Sequence, residues 1–132
     1  MSNKIIVVDD SKTIRKQVGL ALMRAGYKIV EACDGLEGLK AVEQHADAAL
    51  VICDVNMPNM DGLEMMTALQ ADGRRPGPPV LFLTTEGDPT LVRRAQRAGA
   101  KGWMVKPFKP DLLVAMIEKL IGAAATAPPA NR

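Results

Sequence analysis

Short apolar runs recur along this chain: Ile5–Val8, Ile29–Val30 with its neighbours, Leu50–Cys53, Val80–Leu83 and Trp103–Val105. Their length and continuity fit parallel strands buried on both faces. The segments between them carry helical periodicity. Ser11 can cap a helix with an apolar face of Ile14, Val18, Ala21, Leu22 and Ala25, ended by Gly26. A second pattern uses Leu36, Leu39 and Val42, and a third uses Leu63, Met66 and Leu69 before the turn-rich ADGRRPGPP. Asp88 and Pro89 form an N-cap and first-turn pair ahead of Leu91, Val92, Ala95 and Ala98, with Gly99 as the stop. The last stripe is Leu113, Met116, Ile117, Leu120 and Ile121. The order is β-α repeated five times. It predicts an α/β fold: a five-stranded, parallel, doubly wound sheet with five helices on its two faces.

Composition narrows the class. A chain of 132 residues, 48% of them hydrophobic, suits one domain with its own core. The domain is expected over residues 1–122. The Ala/Pro-rich AAATAPPANR, residues 123–132, reads as a flexible tail or the stump of a linker. No apolar run reaches the roughly 18 residues of a membrane span, and MSNKIIVVDD lacks the apolar stretch of a signal peptide. A cytoplasmic protein without membrane contact is the expectation. Cys33 and Cys53 form no C-x-x-C pair, and Cys53 within an apolar run reads as a buried reduced thiol. A net charge of +2 and few aromatics (Trp 1, Tyr 1, Phe 2) argue against nucleic acid as a partner.

The chemistry lies at the strand ends, because open α/β sheets bind ligands beyond the carboxyl ends of their strands. The first strand delivers Asp9 and Asp10 there, the third Asp54, the fourth Thr84 and the fifth Lys106. Glu31 and Asp34 end the second, toward an edge. Any one of these could be the polar punctuation where a buried strand meets water. Asp9, Asp10 and Asp54 together are another matter, since crowded carboxylates disfavour one another's charge. A hard divalent cation resolves the conflict, and Mg²⁺ suits carboxylate, carbonyl and water ligands. Lys106 and Thr84 supply a cation and a hydroxyl donor for a phosphoryl group. A carboxylate so placed can attack phosphorus to form an aspartyl phosphate.

VVDDS, CDVNMPNMDG, LTTE and KGWMVKPF, at these separations, resemble the receiver domains of two-component response regulators, particularly the single-domain chemotaxis regulators. The resemblance runs from about Lys4 to Ile121 and implies a flavodoxin-like strand order 2-1-3-4-5. It implies Asp54 as the phosphoacceptor, with Asp10, Asp54 and the backbone carbonyl of Asn56 as ligands of Mg²⁺ and Asp9 acting through a bound water. Lys106 would pair with the phosphoryl group and Thr84 would hydrogen-bond it. A cis peptide before Pro107 is also implied. Asn56 and Glu86 stand at the positions that tune dephosphorylation. Thr84 and Trp103 stand at the switch positions, and Trp103 departs from the usual Tyr or Phe. The implied function is transfer of a phosphoryl group from a sensor histidine kinase, followed by a change in affinity for an output protein. The domain catalyses its own phosphorylation and dephosphorylation, is not otherwise an enzyme, and is expected to be a monomer. A phosphorelay shuttle, a phosphate sink or the receiver piece of a longer regulator remain open.

Arg93, Arg94 and Arg97, with Lys101 just beyond, form a charge run that alone reads as a solvated helix face. The resemblance makes the surface of the fourth helix, fifth strand and fifth helix, including Trp103, the expected output surface. His45 reads as exposed and without a role. A phosphatase of the haloacid dehalogenase type would need D-x-D-x-T, which VVDDSKT does not supply, and no G-x-x-x-x-G-K-[ST] or G-x-G-x-x-G occurs.

Overall fold

Strands form at the apolar runs: β1 (Lys4–Val8), β2 (Lys28–Ala32), β3 (Leu50–Cys53), β4 (Val80–Thr84) and β5 (Gly102–Val105). Between and after them lie α1 (Lys12–Arg24), α2 (Gly35–Gln44), α3 (Gly62–Gln70), α4 (Pro89–Arg97) and α5 (Pro110–Thr126). The structure, a computed structural model, describes residues 2–71 and 77–126. The strands pair in parallel in the order β2-β1-β3-β4-β5, as the resemblance implies. Most of the turn-rich ADGRRPGPP lies outside the described residues.

Alternation along the central strands sorts their side chains onto two cores. Ile6, Val8, Val51, Cys53, Val80 and Phe82 pack against α2, α3 and α4. Ile5, Val7, Leu50, Ile52, Leu81 and Leu83 pack against Val18 and Leu22 of α1 and Leu113 and Ile117 of α5. Burial on both faces holds for β1, β3 and β4, whereas the edge strands β2 and β5 are only partly covered. That explains why the runs at Ile29 and Trp103 are the short ones: an edge strand has neighbours on one side only.

The caps are those expected. The Ser11 hydroxyl accepts from the Ile14 N–H at 3.3 Å, and the Asp88 carboxylate accepts from the Thr90 N–H at 2.8 Å ahead of Pro89. Gly26 and Gly99 end their helices at φ 96° and 103°, where a side chain would be strained. Three readings need correction. Leu36 is 47% exposed, because α2 turns Gly35, Gly38, Ala41 and Val42 inward instead. Gly38 explains the rotation: a methyl there would lie 2.6 Å from Met65 Sδ, so the helix approaches α3 on its small residues. His45 is half-buried, with Nδ1 3.4 Å from Lys4 Nζ. Helix α5 also continues past Gly122 to Thr126, on alanines that favour helix. The rest of the expected tail, 127–132, lies outside the described residues. Among the described residues no helix is long and apolar enough to cross a membrane.

Candidate functional site

Each central strand ends in the polar residue the sequence put there. The sheet hydrogen bonds run one step past β1 and β3, with the Asp9 N–H on Ala32 O at 3.0 Å and the Asp54 N–H on Val8 O at 3.0 Å. Both aspartates are therefore fixed by backbone while their carboxylates project beyond the sheet. Asp9 is 3% exposed and Asp54 8%, whereas Asp10 is exposed. Lys106 reaches back from the end of β5, and its ammonium donates to Asp9 Oδ2 at 2.7 Å and to Asp54 Oδ2 at 3.1 Å. The other oxygens are held by backbone, Asp54 Oδ1 by the Val55 N–H at 2.7 Å and Asp9 Oδ1 by the Ser11 N–H at 2.9 Å. The Lys106–Pro107 peptide is cis, as implied.

Burial pushes the Asp9 carboxyl above its ordinary range, although the Lys106 hydrogen bond pulls the other way. Burial also disfavours the Lys106 ammonium, but the hydrogen bonds to Asp9 and Asp54 outweigh it and hold the group charged to higher pH than usual. One ammonium thus serves two buried acids, with a third acid beside them. Among the described residues, Asp9, Asp10 and Asp54 can bring one carboxylate oxygen each within 4.8 Å of one another. This hard-oxygen donor set fits a small divalent cation such as Mg²⁺. Glu31 and Asp34 stand outside this group.

Close packing leaves Asp54 little freedom. The Gly62 N–H donates to Val55 O at 2.9 Å, which closes the β3–α3 loop onto its own start. A methyl on Gly62 would sit 2.3 Å from Asp54 O and 2.7 Å from the Phe82 ring, so only glycine fits.

Thr84 and Trp103, expected as the switch pair, lie alongside. Thr84 is fully buried, and its hydroxyl accepts from the Glu86 N–H at 3.3 Å. Half-buried Trp103 stacks at a tilt on Phe82, centroids 5.5 Å apart, and its Nε1–H donates to Glu86 O at 2.9 Å. The Glu86 carboxylate accepts from the Asn56 amide at 3.0 Å. Glu86 is therefore bonded to Thr84, Trp103 and Asn56 at once. Arg93, Arg94 and Arg97 are exposed on α4.

Sequence reading missed Arg15. Its Nη1 donates to Asp9 O at 2.7 Å and its Nε to Glu31 Oε1 at 2.9 Å, which pins the turn carrying Asp9 and Asp10. Its place one helical turn beyond the Ser11 cap was the available signal, since such a side chain can reach back over the helix start.

A parallel sheet that gathers three acids and a lysine at its carboxyl end is a receiver architecture. The chain belongs to the response regulator receiver domain family, which it matches over residues 5–118. Among characterised relatives it is similar to the chemotaxis protein CheY1 of Helicobacter pylori, at 38% identity over 120 residues, covering 90% of this chain and 97% of that protein. A CheY homolog of Campylobacter jejuni is 35% identical over 123 residues, 92% of this chain and 95% of that one. Among solved structures, the chemotaxis protein CheY4 of Vibrio cholerae superposes with a TM-score of 0.83 at 38% identity, covering 91% and 99%.

Proposed function

We propose that this protein is the phosphorylation switch of a two-component pathway, accepting a phosphoryl group from a sensor histidine kinase onto Asp54. The observation that carries the proposal is the pair of buried carboxylates, Asp9 and Asp54, held by one lysine at the carboxyl end of the sheet. In the transfer a carboxylate oxygen of Asp54 forms a bond to phosphorus. The phosphorus–nitrogen bond of a phosphohistidine breaks, and the imidazole leaves with the electron pair and takes up a proton. Hydrolysis later returns inorganic phosphate and the free carboxylate. Asp10, Asp54 and the carbonyl of Asn56 would hold Mg²⁺, with Asp9 joined through water. The bound ion supplies charge neutralisation for the phosphoryl oxygens. Lys106 moves its hydrogen bonds from the acids to those oxygens, and the Thr84 hydroxyl turns to donate to them. Asn56 and Glu86, hydrogen-bonded to each other, sit where they can control the approach of water.

Similarity to proteins named for chemotaxis supports a role in chemotactic signalling. The exposed arginines of α4, with Trp103, are the proposed contact for the output protein. The test is labelling by acetyl phosphate with Mg²⁺. The wild type should acquire a hydroxylamine-labile phosphoryl group, and Asp54→Asn should not. Undiminished labelling of Asp54→Asn that survives hydroxylamine would overturn the assignment.

A further inference from the structure

The β3–α3 loop has to present Asn56 correctly. Pro58 and the bonds from Met60 to Pro58 and from Gly62 to Val55 stiffen it from within, and α2 holds it from outside. Asp34 is the N-cap of α2 and is 7% exposed. Its two carboxylate oxygens do different work. Oδ1 accepts the Glu37 N–H at 2.9 Å, which is the ordinary duty of a cap. Oδ2 accepts from Asn59 Nδ2 at 2.8 Å, across 25 residues of sequence.

Asn59 lies in the β3–α3 loop at φ 68°, the one described non-glycine residue with positive φ. Asparagine tolerates this left-handed conformation better than most side chains, but such a residue persists only where its surroundings hold it. Two further contacts seat the same loop on α2. The Gly35 N–H donates to Met60 O at 3.1 Å. A methyl on Gly35 would come within 2.6 Å of that oxygen, so the two segments touch through backbone. The loop is thus tied at its base by the bond from Gly62 to Val55 and at its crest by Asp34 and Gly35.

We propose that Asp34 is a positioning residue for the cation site, holding the β3–α3 loop through Asn59 so that the Asn56 carbonyl is set before Mg²⁺ arrives. This rests on the reading of Asn56 as a ligand given above. Asp34 touches neither the cation nor the phosphoryl group. Its effect is to remove the freedom that the loop would otherwise lose on binding, and a preset loop raises affinity by that amount. The hydrogen bonds that support Asp34 as a charged acceptor also hold its carboxyl below the usual range, the Glu37 N–H first and the Asn59 amide second.

Variants can separate the tether from the cap and from the charge. Asp34→Ser keeps a good cap but cannot reach Asn59. Asn59→Gly keeps the positive φ without strain and deletes the amide. Asp34→Asn keeps the cap and loses the charge, and rotation of the Asn59 amide lets the tether re-form as an amide pair. Titration calorimetry with MgCl₂ should show affinity lowered about 10-fold in Asp34→Ser and in Asn59→Gly, the low end of what supporting partners of metal ligands contribute. The double variant should be no weaker than either single one, because both delete the same bond. Asp34→Asn should bind like the wild type, and melting without Mg²⁺ should show every variant still folded cooperatively. Acetyl phosphate labelling of the two weakened variants should recover at saturating Mg²⁺. Wild-type affinity in Asp34→Ser or Asn59→Gly would overturn the proposal, and so would equal loss in Asp34→Asn, which would make the effect one of charge. A wild type that takes up no Mg²⁺ would overturn the cation reading itself, and this proposal with it.

Discussion

Lys106→Met removes the ammonium from between Asp9 and Asp54 while keeping the length of the side chain. The side chains involved are 10% exposed for Lys106, 4% for Asp9 and 11% for Asp54. Deleting one partner of a buried ion pair typically costs about 3–5 kcal/mol, most of it the penalty of an uncompensated charge. Here the cost has a ceiling, because the variant can protonate Asp9. For a carboxyl with an ordinary value of about 4, protonation costs about 4 kcal/mol at pH 7 and about 1.4 kcal/mol at pH 5, at roughly 1.4 kcal/mol per pH unit. The sign agrees with the direction already present in the wild type. The Asp9 carboxyl is raised by burial, so its contribution to stability is fully present below its unfolded value and is lost as pH climbs through the folded one. Without Lys106 that folded value moves higher still.

Urea denaturation should therefore show Lys106→Met destabilised by about 3 kcal/mol near pH 7, with the deficit falling below about 1.4 kcal/mol near pH 5. Millimolar Mg²⁺ at pH 7 should stabilise the variant more than the wild type, since acids no longer neutralised by Lys106 bind the cation more tightly and the gain in stability is RT ln(1 + [L]/Kd). An equal deficit at both pH values, indifferent to Mg²⁺, would refute the reasoning. It would assign the role of Lys106 to packing of its aliphatic stem.

Gly62→Ala should cost about 3 kcal/mol by chemical denaturation, the upper part of the overpacking range, because the new methyl meets the Asp54 carbonyl oxygen at 2.3 Å. Gly77→Ala, where a methyl meets nothing within 4 Å, is the control and should be nearly neutral. Burial holds the Cys53 thiol well above its ordinary range, so a thiol reagent near pH 8 should modify Cys33 alone until denaturant is added. Equal native labelling of both cysteines would contradict the burial. Trp103 is the single tryptophan, so Mg²⁺ with beryllofluoride should change its emission, and Thr84→Ala should blunt that change while the mimic still binds. An undiminished response in Thr84→Ala would separate the two residues.

Legibility in the sequence followed burial. The runs Ile5–Val8, Leu50–Cys53 and Val80–Leu83 were plain because those strands are covered on both faces, which demands apolar residues at every position. The acids and Lys106 were plain because each interrupts or follows such a run. Edge strands and α2 were less so. Leu36 belongs to the helical pattern yet faces solvent, since the close contact of Gly38 with Met65 sets the rotation of α2, and a glycine has no place in a hydrophobic stripe. Arg15 and the tie from Asp34 to Asn59 were harder to read for another reason: each is a hydrogen bond whose partner polarity alone does not name, and the second also spans 25 residues.

The departure at Trp103 from the Tyr or Phe that the resemblance implies changes what the proposed switch can be made of. A tyrosine hydroxyl both donates and accepts, and a phenylalanine does neither, but an indole N–H can only donate. Trp103 must therefore find an acceptor wherever its ring goes, and here that acceptor is the Glu86 carbonyl. The same residue's N–H already donates to the Thr84 hydroxyl, and its carboxylate accepts from the Asn56 amide. If Thr84 turns its own hydrogen toward a phosphoryl oxygen, its lone pairs remain available to the Glu86 N–H, so the β4–α4 loop can follow the hydroxyl without losing that bond. The Glu86 carbonyl then moves with the loop, and half-buried Trp103 either follows it or trades that bond for one to water, at a cost of about 1 kcal/mol. In the proposed switch, a cost of that size is enough to couple the ring to the site. The coupling then runs through the backbone of Glu86 as well as through any space Thr84 vacates.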